Sequence, residues 1–167
     1  MKRILPGSNI QLVALVALSL AAVGCGGSSG STESNTDAKL TFTATAGYNG
    51  SALRFSGNPT ASVTNGSTVV LASEGARTFT ISLPSTSPQN GTVYTVGQNG
   101  TNARYTEAIL GSSDNVWTGT GGTISVKALR NTLFLTLTNV TFAADSTNGS
   151  QAQGTFTVSG TINNVGF

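Results

Sequence analysis

Residues 39–50 read Lys39-Leu40-Thr41-Phe42-Thr43-Ala44-Thr45-Ala46-Gly47-Tyr48-Asn49-Gly50. Leu40, Phe42, Ala44, Ala46 and Tyr48 fall on alternate positions, with Thr and Gly between them, so an extended chain carries apolar side chains on one face and hydroxyls on the other. Asn49-Gly50 then supplies a dipeptide that accepts the positive φ values of tight antiparallel turns.

The same reading extends along the chain. Phe79, Ile81 and Leu83 alternate with Thr and Ser, Ile124 and Val126 follow Gly121-Gly122, and Phe156, Val158 and Ile162 alternate with Thr, Ser and Gly. Further runs cover 53–56, 68–72, 92–96, 103–110 and 131–142. In the last of these, Leu133, Leu135 and Leu137 share one parity while Val140 and Phe142 take the other. A bulge near Thr138-Asn139 would restore a single buried face, because one extra residue reverses the direction of every later side chain. Parity assigns Phe79, Ile81, Leu135, Phe156 and Val158 to the core. Asn-Gly recurs at 49, 65, 90, 99 and 148, which reads as hairpin punctuation. No helical periodicity occurs beyond the first two dozen residues. The expectation is an all-β domain over 39–167, an antiparallel β-sandwich of roughly eight to ten short strands in two packed sheets, with a small β-barrel as the alternative.

Composition narrows function. From Cys25 onward the chain holds 26 Thr, 18 Ser, 13 Asn and 19 Gly in 143 residues, and no His anywhere. Neither an imidazole base nor a His-based metal site can be built. The net charge of +2 comes from Lys2 and Arg3, since the remainder balances six basic against six acidic residues. Without a basic run to neutralise phosphates, nucleic-acid binding is not expected.

The first 25 residues divide into Lys2-Arg3, an apolar run over 10–23, and Ala22-Val23-Gly24-Cys25. The run is too short for a stable membrane span and has the layout of a secretory signal helix, cleaved at residues 1–24. Ala22-Val23-Gly24-Cys25 resembles the lipobox of bacterial lipoproteins, in which the chain is cut between Gly24 and Cys25 and the thiol is acylated. The alternative is an ordinary signal peptide with Cys25 a stray thiol. The resemblance implies a protein held to the membrane through acyl chains such as palmitate. Gly26 rather than Asp after the cysteine favours the outer membrane or cell surface of the bacterial envelope. Residues 25–38, Cys25 with the Gly- and Ser-rich stretch after it, read as the lipidated residue and a flexible tether.

The segments FTATA at 42–46, GTVYTV at 91–96, Ala103-Arg104-Tyr105, GTISV at 122–126 and GTFTV at 154–158 are similar to those of uncharacterised bacterial β-sandwich lipoproteins. The likeness spans about residues 40–163 and implies fold and location; that family brings no activity with it.

Candidates for chemistry are few. Lys39 and Lys127 lack a Ser-Lys context. Glu74, Glu107, Asp114 and Asp145 could pair as glycosidase carboxylates or sit on solvated edges. Asp145-Ser-Thr-Asn-Gly149 reads either as a fragmentary calcium loop or as a turn. Trp117 with Tyr94 and Tyr105 could form an exposed stacking platform for a sugar ring, or Trp117 could plug one end of the core. The sequence therefore indicates no catalytic residues, metal or cofactor. It suggests a non-catalytic structural or interaction protein of the envelope, with a glycan-binding surface module as the alternative.

Overall fold

A computed structural model describes residues 36–167, which lie within one compact unit. The signal segment, the cleavage position Gly24 and the lipidation position Cys25 lie outside the described residues. Nine strands follow in order: β1 (Asp37–Ala44), β2 (Arg54–Thr64), β3 (Ser67–Glu74), β4 (Arg77–Leu83), β5 (Val93–Thr95), β6 (Asn102–Glu107), β7 (Asn115–Leu129), β8 (Thr132–Ala144) and β9 (Thr155–Gly166). The domain starts two residues before the expected Lys39, and a single 3₁₀ turn at Thr147–Gly149 is the one helical element among the described residues.

All pairings are antiparallel. From β1 through β4, each strand pairs with the next; β4 then pairs with β6, β6 with β7, β7 with β8, β8 with β9, and β9 returns to β1. The expected two-sheet sandwich gives way to one continuous closed sheet of eight strands, the small-barrel alternative. Closure depends on the β9–β1 pairing, which sets Leu40 opposite Gly160. A side chain at Gly160 would run into the carbonyl of Lys39, so the contact needs glycine there. The short β5 pairs with residues 123–125 of β7 while β6 pairs with 115–118. Since β8 occupies the other edge of β7, β5 and β6 share one strand position, interrupted by the loop 96–101.

An eight-stranded barrel encloses just enough space for side chains to fill it. Here aromatics do so. Phe156 stacks on Phe42 (centroids 5.0 Å) and on Phe142 (4.9 Å), while Phe55, Phe79, Tyr105 and Trp117 complete the column. Phe79, Ile81, Leu135, Phe156 and Val158 are all fully buried, as their parity requires. The β8 bulge lies where the phase change put it, with Leu137 opposite Gly160 but Val140 opposite Val158, and Asn139 at φ 48°. The outer face is rich in Thr and Ser, with Val63, Leu71, Val93 and Leu129 as exposed apolar residues among them.

The Asn-Gly reading holds for one tight hairpin. Asn65 (φ 51°) and Gly66 (φ 77°) join β2 to β3 in two residues. Asn99 (φ 46°) and Gly100 (φ 81°) make a second tight turn inside the loop 96–101, closed by the Thr101 N–H donating to the Gln98 carbonyl at 2.8 Å. The remaining three Asn-Gly pairs occupy longer loops, and the tight β3–β4 and β7–β8 connections are made by Gly75-Ala76 and Arg130-Asn131.

Candidate functional site

The loops divide unequally between the barrel ends. The chain enters β1 at one end, beside the β2–β3 and β7–β8 turns and the β4–β5 loop (84–92). The opposite end gathers the β1–β2 loop (45–53), the β6–β7 loop (108–114) and the β8–β9 loop (145–154), and it concentrates the polar side chains.

Inside that end stands Glu107, the last residue of β6 and one of four buried polar or charged residues among those described. Its parity follows from alternation: Ala103, Tyr105 and Glu107 all face inward. Glu107 Oε1 accepts from the Tyr105 hydroxyl at 2.6 Å and from Ser51 Oγ at 3.0 Å, and both carboxylate oxygens lie 3.0 Å from the Ser51 N–H. These donors explain how a carboxylate is accommodated among aromatics. Burial first, and then the bond to Glu107, pushes the Tyr105 hydroxyl far above the ordinary tyrosine range. Burial and the Glu107 charge lift Tyr48 to about 12.

The β1–β2 loop is thereby held across the mouth as a strap. Tyr48 packs on Trp117 (5.4 Å) and Phe156 (4.9 Å), and its hydroxyl donates to the Ala52 carbonyl at 3.2 Å. Asn49 clips the strap to the β8–β9 loop, donating to the Gln151 carbonyl at 2.9 Å and accepting from the Gln153 N–H at 2.8 Å. Trp117 Nε1 donates to the Gln153 carbonyl at 3.2 Å. Beside the strap, Arg77 pairs with Glu74 at 2.8 Å and donates to the Arg54 carbonyl at 3.3 Å, while Glu74 accepts from the Ser56 N–H at 3.1 Å. Those bonds stitch β2 to the β3–β4 turn where backbone pairing between β2 and β3 has stopped.

The exposed platform of Trp117, Tyr94 and Tyr105 is not formed. Trp117 and Tyr105 come together, with centroids 5.7 Å apart, but both are fully buried, so the core-plug reading is the one observed. Tyr94 sits opposite Ile124 towards the other end, half-buried against the core. Parity accounts for this: Tyr105 and Trp117 are cross-strand partners on the inward face.

Of the four acids, Glu74 and Glu107 are taken up by the stitching just described. Asp145 Oδ1 accepts from the Thr147 hydroxyl at 2.7 Å and the Thr147 N–H at 2.9 Å, and Oδ2 accepts from the Thr118 hydroxyl at 3.0 Å. The Thr147 donors hold its carboxyl below the usual Asp range. The 145–149 segment is therefore a turn. Among the described residues no group of three His, Cys, Asp or Glu side chains could hold a metal ion.

A second feature lies outside the barrel wall and has no counterpart in the sequence reading. Arg104 of β6, Val116 of β7, Ser112, Ser113 and Asp114 of the β6–β7 loop, and Thr147 line a cleft of about 360 Å³. Val116 points outward yet is only 4% exposed. The β8–β9 loop covers it, with the Val116 N–H donating to Ser150 Oγ at 3.0 Å and the Asp145 N–H donating to the Val116 carbonyl at 2.9 Å.

The fold and this end of it define a small, closed, aromatic-filled antiparallel barrel with loops grouped at one mouth. No family model, curated protein or solved structure matches the chain.

Proposed function

We propose that this chain is a lipid-anchored protein of the bacterial envelope, attached through acyl chains on Cys25 at the outer membrane or cell surface, and that it serves as a non-catalytic structural or interaction module. One observation carries the reading: the lone cysteine of the chain closes Ala22-Val23-Gly24-Cys25 directly after an apolar leader. Two or three acyl chains, at about 0.8 kcal/mol per buried methylene, hold such a protein permanently.

The barrel supports the arrangement. Its first strand begins at Asp37, twelve residues beyond the anchor, and the three long loops emerge from the opposite end. The anchored end is thus the one where the chain enters, with the β2–β3 and β7–β8 turns and the β4–β5 loop, and the mouth formed by the other three long loops is presented outward. A binding rather than catalytic role accords with the state of Glu107, whose donors already occupy it, and with a sequence that lacks imidazole.

The test is Cys25→Ala in a bacterial host. The wild type should take up labelled palmitate and partition into detergent, and the variant should do neither. An unlabelled wild type overturns the proposal.

A further inference from the structure

The outer cleft holds two charged groups, Arg104 and Asp114. Neither the Arg104 guanidinium nor the Asp114 carboxylate has a hydrogen bond or ion pair among the described residues, although Arg104 and Asp145 attract each other. Around the same mouth Asp145 is satisfied by Thr118 and Thr147, Glu107 by Ser51 and Tyr105, and Glu74 by Arg77, while the buried Asn115 Oδ1 has no partner among the described residues.

We propose that this cleft is a binding site for a neutral saccharide. Its lining combines a donor-only group, Arg104, an acceptor-only group, Asp114, two hydroxyls that do both, Ser112 and Ser113, and the Thr147 hydroxyl, which donates to Asp145 and keeps its lone pairs. A ligand that satisfies all of them must offer hydrogens and lone pairs around a compact body, as a pyranose does. Val116, almost wholly covered by the β8–β9 loop, closes the base of the cleft. The opposite charges in the lining select against ionised ligands, since an anion meets Asp114 and a cation meets Arg104. The cleft volume of about 360 Å³ falls within the range of small-ligand sites. Its position at the loop-bearing mouth places it on the presented side, and the inference deepens the interaction reading above by naming a ligand class.

The experiment uses the full-length lipidated protein in detergent micelles. Calorimetric titration would employ oligomers of glucose, mannose, galactose and N-acetylglucosamine, with galacturonate and glucosamine oligomers as the charged comparison. At least one neutral series should bind saturably. Arg104→Ala and Asp114→Ala should each weaken that binding about tenfold or more, with Trp117 emission and the melting curve unchanged to show that the barrel is intact. Arg54→Ala, on another part of the wall, should leave binding as it is. No binding by any neutral sugar, equal binding by the two cleft variants, or tighter binding of the charged oligomers would each overturn the assignment. A protein that is palmitoylated but binds no sugar loses the cleft proposal and keeps the anchor. One that binds sugar without acquiring label does the reverse.

Discussion

Ser51 presents both its backbone N–H and its hydroxyl to the carboxylate of Glu107, each at 3.0 Å, from a strap 56 residues away in sequence. One charged group thus docks an irregular loop over the mouth of an aromatic barrel. Removing the carboxylate leaves the Ser51 N–H and the Tyr105 hydroxyl without their acceptor. Glu107→Ala should therefore cost about 2–4 kcal/mol, and Ser51→Ala, which keeps the N–H bond, about 1 kcal/mol. Urea melts followed by Trp117 emission would measure both, and equal costs would mean that the strap is held by its other contacts.

Phe156 touches Phe42, Tyr48, Phe142, Tyr105 and Trp117. Phe156→Ala should lower stability by about 3–5 kcal/mol. Its neighbour Thr157 points outward, and Thr157→Ala should change stability by less than about 0.5 kcal/mol. The same denaturation curves compare them directly.

Gly122 lies where β7 and β8 shift register, at φ 87°, against the Asn139 carbonyl and Val140 backbone. A methyl there meets main chain rather than a movable side chain, so Gly122→Ala should destabilise by at least about 2 kcal/mol. Gly121, with nothing nearby, is the control.

Two acids set the response to low pH. Bonding to Lys39 and Asn163 holds Asp37 below the usual Asp range, and the Thr147 donors do the same for Asp145. Each is protonated more readily in the unfolded chain, at about pH 3.9. Their stabilisation is full above that value and is lost as pH falls through the lower folded-state values. Asp37→Asn and Asp145→Asn should flatten stability against pH below about pH 4.

The alkaline response has the opposite origin. Tyr48 ionises at about 12 in the folded state, whereas an unfolded tyrosine does so near 10. The unfolded chain then binds fewer protons, and stability should fall as pH rises from about 10 to about 12. Tyr48→Phe should reduce that slope in thermal melts taken across the window.

Much of the barrel wall is legible in local pattern. Alternation at 40–42, 79–83 and 156–162 marks which side chains turn inward, since period two is a property of the extended backbone itself. The bulge near Asn139 is legible for the same reason, as a change of phase. The expected continuation through Ala44, Ala46 and Tyr48 fails because β1 ends at Ala44, where the chain leaves the sheet and exposes both alanines. Pattern left Trp117 open between a core plug and a surface platform with Tyr94 and Tyr105, and its register with Tyr105 on the inward face resolved it as the core plug. It was silent about Ser51 and Glu107, whose residue types are ordinary and whose meeting depends on a loop crossing the barrel mouth.

By itself, then, the sequence determined the all-β class, the inward and outward faces, the bulge and the lone cysteine behind an apolar leader, because each is written within a few neighbouring residues. Only the tertiary structure decided that the sheet closes on itself. That choice rests on β9 pairing with β1, Leu40 against Gly160, and on seven large aromatics filling the space enclosed. The strap over Glu107 and the cleft at Arg104 and Asp114 follow from that closure, for it is the closed wall that brings loops from distant parts of the chain to one mouth.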